Sequence, residues 1–388
     1  MIFNHVALKG RTDRLAFIAL FFMVCSGNFF KSIFIDYASV IQIFITLSCF
    51  FISIYFFKYK TLYVYVCEAF ILFVYVFVYL ISTPLNILNI SSSLLTLYIV
   101  ISTVYITVKF GNGKDIIRVI HIVLLLSCVS LLVIYFKNGF FLPKHLDMLV
   151  TFDGGLMNRN LTKEIIAYPL FSYYILSSLF KIRINIISPI IGSLLLLISN
   201  SRVGLVLCLL SVVCLITLLI KENRIALLIF FSFLCVAAIC IFVDDISNHL
   251  VGLYWAWHRL SESASIKDPR QNVIDCYINS FNGLKLIFGL HFGGDDICSW
   301  KAGVADANTH NSFINGYIHF GIFFPIFILY MVIKIILKSI VDFNFVFVIS
   351  LFCYFMTAAF ESNLFVSYYD ALVYSTIFIM LRKRHLSE

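Results

Sequence analysis

Three residues of this sequence could carry polar chemistry in a chain where polar groups are scarce. Arg202 lies in "ISNSRVGLVLCLL", Arg270 in "DPRQNVIDCYINSFNGLKLIFG", and His310 in "THNSFINGYIHFG". A guanidinium offers a planar fork of donors that matches phosphate oxygens as a lysine point charge does not. Two arginines together suit a diphosphate. A neutral imidazole can take a proton from a hydroxyl near neutral pH. Asn311 and Asn315 share a helix face beside His310, being one helical turn apart. Ser199, Asn200 and Ser201 crowd the turn before Arg202 and would line a polar pocket with it.

Each of these has a plainer reading. Arg202 could snorkel to headgroups, Arg270 could be solvated or paired with Asp268, and His310 could cap or pack a helix. His319 is expected to be buried and hydrogen-bonded within the bundle. Gly154-Gly155, Asn158 to Asn160, and Gly293 to Asp296 could contact sugars, but for the glycines turns are the better reading. Arg159 is a weaker candidate for binding phosphate or sugar. Glu68 and His121 fall inside apolar runs, where they could mark an ion path or simply be satisfied by a neighbouring helix.

The elements that must position these residues are membrane helices. The chain has 388 residues, 62% hydrophobic and only 12% charged, with 42 phenylalanines and a mean hydropathy of +1.01. No soluble domain is so apolar throughout. Apolar runs long enough to cross a core about 30 Å thick recur along its length. They lie at roughly 15–31, 38–57, 61–82, 93–108, 116–136, 164–180, 184–200, 203–220, 225–243, 311–333, 343–360 and 364–380. The expected fold is therefore an all-α polytopic bundle of about 12 transmembrane helices in a single integral membrane domain, residues 1–388. The first run lacks a small-residue cleavage site and is read as a retained span.

Threading these spans with both termini in the cytoplasm places 17 of the 28 Lys and Arg residues in inner loops or tails, as the positive-inside rule requires. The net charge of +8 is thus a matter of topology, and no nucleic-acid partner is expected. Two outer connections are long, 137–163 and 244–310, and long connections in a compact bundle are usually functional or disordered. In the second, the apolar period from Arg270 to Ile287 predicts a surface helix. Nine of the 11 cysteines fall in spans; only Cys276 and Cys298 lie outside, both in this loop, where a disulfide would need an oxidising compartment. No metal-ligand spacing occurs, so neither metal nor cofactor is expected.

In order and spacing, the three motifs resemble those of the O-antigen polymerases and O-antigen ligases of bacterial envelopes, polytopic glycosyltransferases with a GT-C-like bundle. "SNSRVGL" is similar to that family's Ser-Arg opening a mid-chain helix, "DPRQNVIDCYINSFNGLKLIFG" to its loop arginine followed by a glycine, and "THNSFINGYIHFG" to its His-Asn pair with a later glycine. The architecture matches over roughly residues 60–388. The chain departs from the pattern at Gly289-Leu290-His291, where the family has Gly-x-Gly, in lacking the proline often seen before it, and at Phe324, where a glycine is common.

The resemblance implies a reaction at the periplasmic face of the bacterial inner membrane, with a glycan on undecaprenyl diphosphate as donor and no nucleotide. Carried over, Arg202 and Arg270 would hold the diphosphate and His310 would orient or deprotonate the acceptor hydroxyl. Asn311, Asn315, Arg159 and Ser201 would support substrate binding. The acceptor would be another lipid-linked repeat unit in a polymerase, with a chain-length regulator protein as partner, or the lipid A core in a ligase. A residue bias that suggests an AT-rich gene favours polymerase. A rival of another class is a lipid-linked oligosaccharide flippase, but that would gather its charge in a central cavity and keep its loops short.

Overall fold

The computed structural model describes residues 10–82, 87–138, 148–158, 161–199, 202–224, 269–280, 286–287, 289, 311–341, 344–360 and 367–382. Among these, the helices are α1 (Arg11–Ile33), α2 (Ala38–Tyr55, extended by a 3-10 turn over Phe56–Tyr59), α3 (Leu62–Ser82), α4 (Ile87–Phe110) and α5 (Gly113–Lys137). A short antiparallel hairpin, β1 (Met148–Val150) and β2 (Leu156–Asn158), follows. Then come α6 (Leu161–Phe180), α7 (Ile187–Ile198), α8 (Arg202–Lys221), α9 (Pro269–Ser280), α10 (Ser312–Phe320), α11 (Phe323–Val341), α12 (Phe345–Phe360) and α13 (Tyr368–Arg382).

This is a helical membrane protein. Five stretches, Arg11–Ile33, Ala38–Tyr59, Ser93–Phe110, Gly113–Lys137 and Val203–Lys221, are long and apolar enough to cross a bilayer, and Leu62–Phe77, Ile187–Ile198, Phe323–Ile335 and Phe345–Ala359 form shorter apolar helices. Large apolar side chains cover the outside: Phe44 is 67% exposed, Phe51 64% and Leu209 59%. In water such surface would drive aggregation, and in lipid it meets its own kind. The hairpin is the one described departure from an all-α fold. Its strands of three residues are too short to leave a readable alternation in the sequence.

The bundle is arranged around α6. Every residue from Thr162 to Ser178 is buried, because α5, α7, α8, α12 and α13 all pack against it. Polar pairs between neighbours replace water there: Tyr135 and Thr162 hydroxyls lie 3.2 Å apart, those of Tyr174 and Ser211 3.0 Å, and that of Ser172 meets Tyr354.

One pole of the bundle is basic and closely tied together. Arg14 donates to Asp115 through two nitrogens at 2.7 and 2.6 Å, the fork geometry that makes arginine pairs directional. Tyr59 donates to Asp13 at 2.9 Å, Lys109 to the Tyr59 carbonyl at 2.7 Å, and Arg382 to the carbonyl of Val108. Arg224 reaches the Ile184 carbonyl at 3.0 Å, and the Ile184 amide donates to Glu222 at 3.0 Å. Lys60 is buried between Glu68, at 2.7 and 2.8 Å, and Ser102, at 2.9 Å.

The opposite pole carries the hairpin. The Phe152 amide donates to the Ile33 carbonyl, Lys137 donates to the Thr151 carbonyl at 3.0 Å, and the Asp36 amide donates to Asp153 at 2.8 Å. Burial pushes the Asp153 carboxyl upward, but hydrogen bonds from Thr151 and from backbone amides, those of Asp36 and Gly155 among them, outweigh it and hold the group below the ordinary carboxylate range.

The expected span at 311–333 is two helices. The chain turns at Gly321 (φ 56°) and restarts at Phe323, with Pro325 in the new first turn, where a missing N–H costs no helix bond. The expected span at 184–200 is shorter than predicted, a helix of 12 residues that covers only about 18 Å.

Candidate functional site

The described candidate positions on α8 and α10, Arg202, Asn311 and Asn315, belong to the hairpin pole. Because α8 ends at the basic pole near Glu222, its first residue, Arg202, starts at the opposite end. Asn344 at the start of α12 bonds Ser178 near the end of α6, at 2.8 Å. The far end of α12 is therefore at the hairpin pole, and there Phe355 stacks on Phe313 of α10 with ring centroids 6.2 Å apart. The starts of α6, α8 and α10 thus share this pole.

Asn311 caps α10. Its backbone is extended (φ −147°, ψ 110°), and its side-chain oxygen accepts from the amides of Phe313 at 2.9 Å and Ile314 at 3.1 Å. Two of the four amides a helix start leaves unpaired are thereby satisfied. Asn315 is half-buried one turn on, its amide bonded to the Asn311 carbonyl at 3.1 Å. His310, which precedes the cap, lies outside the described residues, as do Ser201 and Arg159.

Arg270 is the second residue of α9, with Pro269 at its first position. The predicted loop helix is therefore present over Pro269–Ser280; Leu286 and Ile287 are helical too, and 281–285 lie outside the described residues. Cys276 within it is disulfide-bonded. The other described cysteines are free, so its partner lies outside the described residues.

Beyond α9, the loop returns to lie against α10. The Ile322 amide donates to the Ile287 carbonyl at 2.8 Å, and the Tyr317 hydroxyl donates to the Leu286 carbonyl. Gly289, in the left-handed region at φ 83°, fits where a Cβ would stand 2.5 Å from the Tyr317 carbonyl oxygen and 2.6 Å from that of Ile318. Only glycine allows so close a backbone approach at that dihedral. On the other side of α10, Gly316 lets the Phe324 ring of α11 lie where a Cβ would be 2.4 Å from it. The short helix is held between the loop and α11.

Other sequence candidates resolve as structure. Glu68 is taken by Lys60 and Ser102, and His121 bonds Ser188 at 3.1 Å while stacking on Tyr173. His319 is half-buried and stacks on Tyr75 at 6.1 Å. The Ser199 hydroxyl turns back to the Leu196 carbonyl at 2.7 Å. Gly154 and Gly155 form the turn of the hairpin.

Sequence reasoning missed two features of this pole. The first turn of α6, Thr162-Lys163-Glu164, is buried, with Lys163 3% and Glu164 2% exposed, whereas the sequence expectation puts Thr162 and Lys163 in the outer connection 137–163 and starts the span at Glu164. Ser367 and Asp370 form a capping box on α13, with Asp370 accepting from the Ser367 amide at 2.8 Å. The Ser-x-x-Asp signal was legible there. Comparison with known protein families, characterised proteins and solved structures finds none that matches this chain.

Proposed function

We propose that the chain is a glycosyltransferase of the O-antigen polymerase type, joining undecaprenyl-diphosphate-linked repeat units. The observation that carries this reading is Gly289. In the motif pattern it is the glycine that follows the loop arginine, and in the fold it is the residue whose bare backbone rests on α10, the helix opened by the His-Asn pair. The two motifs that the resemblance pairs are physically coupled. Arg202 opens α8 at the same pole.

In this mechanism the acceptor hydroxyl oxygen attacks the anomeric carbon of the donor glycan. The bond from that carbon to the diphosphate oxygen breaks, and undecaprenyl diphosphate leaves with the electron pair. Arg202 and Arg270 hold the diphosphate and offset the charge that grows on it. His310 takes the acceptor's proton. Asn311 fixes the start of the helix that follows His310, so its contribution is through position.

The orientation follows from charge. The pole that gathers Arg14, Lys60, Lys109, Arg224 and Arg382 faces the cytoplasm by the positive-inside rule, and the hairpin pole faces the periplasm. A disulfide at Cys276 suits an oxidising compartment there.

His310→Ala tests the reading in a strain whose only copy is the variant, with expression and membrane insertion verified. O-antigen chains should collapse to short forms, and full-length chains in the variant would refute the base. Arg202→Lys should lose most activity, since a point charge cannot replace the fork. A ligase acting on the lipid A core would be revealed by the gel, because loss of a polymerase leaves one repeat unit on the core and loss of a ligase leaves none.

A further inference from the structure

Among the described side chains of α3, only Glu68, Val74 and Tyr75 are buried. Leu62, Val66, Phe70 and Phe73 are exposed, as lipid-facing residues are. A helix so open to lipid is held by few contacts, and these fall at two heights on one face. Glu68 and Tyr75 are seven residues apart, two turns and about 10 Å. At the lower height the Glu68 carboxylate accepts from Lys60, in the connection from α2, at 2.7 and 2.8 Å, and Lys60 also donates to Ser102 of α4 at 2.9 Å. At the upper height Tyr75 packs on the last turn of α10. Its ring centroid is 6.1 Å from that of His319, with the planes 24° apart, and 5.6 Å from that of Phe320.

The helix that Tyr75 touches has little rigidity of its own. α10 has nine residues, and so short a helix depends on its surroundings for its place. Asn311 caps its outer end, Phe355 of α12 stacks on Phe313, and the Gly289 backbone and the Phe324 ring bear on it from either side. Tyr75 supplies a contact at its inner end. The height of Tyr75 is set in turn by the ion pair two turns below. Desolvation cancels much of the Coulomb gain of a buried pair, which is therefore a weak source of stability. It does demand one geometry, because a displaced carboxylate would leave the ammonium uncompensated within the membrane.

We propose that α3 is a strut for α10: Tyr75 is a positioning residue that holds the inner end of the helix following His310, and the Lys60–Glu68 pair fixes its height. The inference rests on the function proposed above. Without the strut α10 can tilt about its capped end, and a shift of about 1 Å at the reacting groups can cost roughly hundredfold in rate.

The test uses the full chain in lipid nanodiscs, supplied with the lipid-linked repeat unit isolated from a strain lacking this chain. Turnover, melting temperature and hydrogen exchange are measured on the same samples. Tyr75→Leu keeps apolar bulk but loses the flat ring. The amides of Tyr317 to Phe320 should exchange about tenfold faster, and kcat should fall about tenfold or more with KM within about threefold, since the strut acts on the reacting atoms rather than on donor binding. Tyr75→Phe keeps the ring and should retain most of the rate. The Lys60→Met, Glu68→Leu double variant should melt near the unaltered protein yet turn over about tenfold more slowly, because apolar side chains there fix no height. A merely structural pair would recover rate and stability together. Unaltered kcat in Tyr75→Leu would overturn the role of Tyr75, and full kcat in the stable double variant the role of the pair; both results leave the proposed function standing. If the unaltered protein joins no repeat units, the proposed function falls and the strut with it.

Discussion

Replacing Gly289 by alanine should loosen α10 without unfolding the bundle. The residue sits at φ 83°, and its new methyl would stand 2.5 and 2.6 Å from two carbonyl oxygens and 3.1 Å from the Gly321 nitrogen. All three are backbone atoms of a helix end, which cannot rotate away as a side chain can. Adopting the left-handed region costs a non-glycine residue about 1–2 kcal/mol. Relieving the clash requires separating the loop from α10, which forfeits the bond from the Ile322 amide to the Ile287 carbonyl, a further ~1 kcal/mol or somewhat more. The total of about 3 kcal/mol corresponds to roughly hundredfold more frequent opening. Hydrogen exchange read by mass spectrometry on the full chain should show the amides around Ile322 and the end of α10 exchanging about a hundred times faster, with α5 and α6 unchanged. Gly154→Ala is the internal control: its φ is 93°, but nothing lies within 4 Å of the added methyl, so only the conformational cost applies and α10 should be unaffected. Unaltered exchange at α10 in Gly289→Ala, or equal acceleration there in Gly154→Ala, would refute the backbone-approach argument and remove the main support for the proposed function.

Other consequences can be checked in the same preparation. Glu68→Gln leaves the buried Lys60 ammonium without its counter-charge and should cost about 3–5 kcal/mol, most of it recovered in a Lys60→Met, Glu68→Leu double variant; an unchanged melting temperature for the single variant would contradict the pairing. Asn311→Ala should lose about 1 kcal/mol of helix stability and Asn311→Asp almost none, so an inactive but normally stable Asn311→Asp would assign this side chain to substrate rather than to capping. Because the folded Asp153 carboxyl titrates below its unfolded value of about 3.9, the stability it contributes is complete well above that value and is lost as pH falls through the folded one. Exchange of the Asp36 amide should be protected near pH 7 and lose that protection below about pH 4, and Asp153→Asn should show the weakened state at every pH.

Much of the architecture was legible because lipid imposes a simple rule on sequence. Expected spans at 38–57, 116–136 and 203–220 coincide with α2, α5 and α8 to within a few residues, since hydropathy alone decides where a lipid-facing helix begins and ends. Where burial against protein replaces contact with lipid, the rule fails. Thr162 and Lys163 look like loop residues, yet they are buried, and the environment that buries them is written in other parts of the chain. The break at Gly321 had a local signal, glycine followed by Pro325, that a purely apolar window overrides. Capping enters the sequence reading only at His310, whereas the cap of α10 is Asn311, a residue type suited to that position before an apolar run. The approach of Gly289 to α10 joins positions far apart in sequence and has no local signature beyond the glycine itself.

The burial of α6 on every side also bears on how the protein is made. This helix does not face lipid along Thr162–Ser178 and carries a lysine, a glutamate and Pro169, so it is poorly suited to leave the translocation channel alone. Two of the helices that seal it, α12 and α13, are translated long after it. Until they arrive, the central helix must be sheltered by the insertion machinery or by transient neighbours. Assembly of α6 is therefore coupled to synthesis of α12 and α13, and premature termination anywhere before Tyr368 would yield a bundle open at its centre rather than a smaller working one.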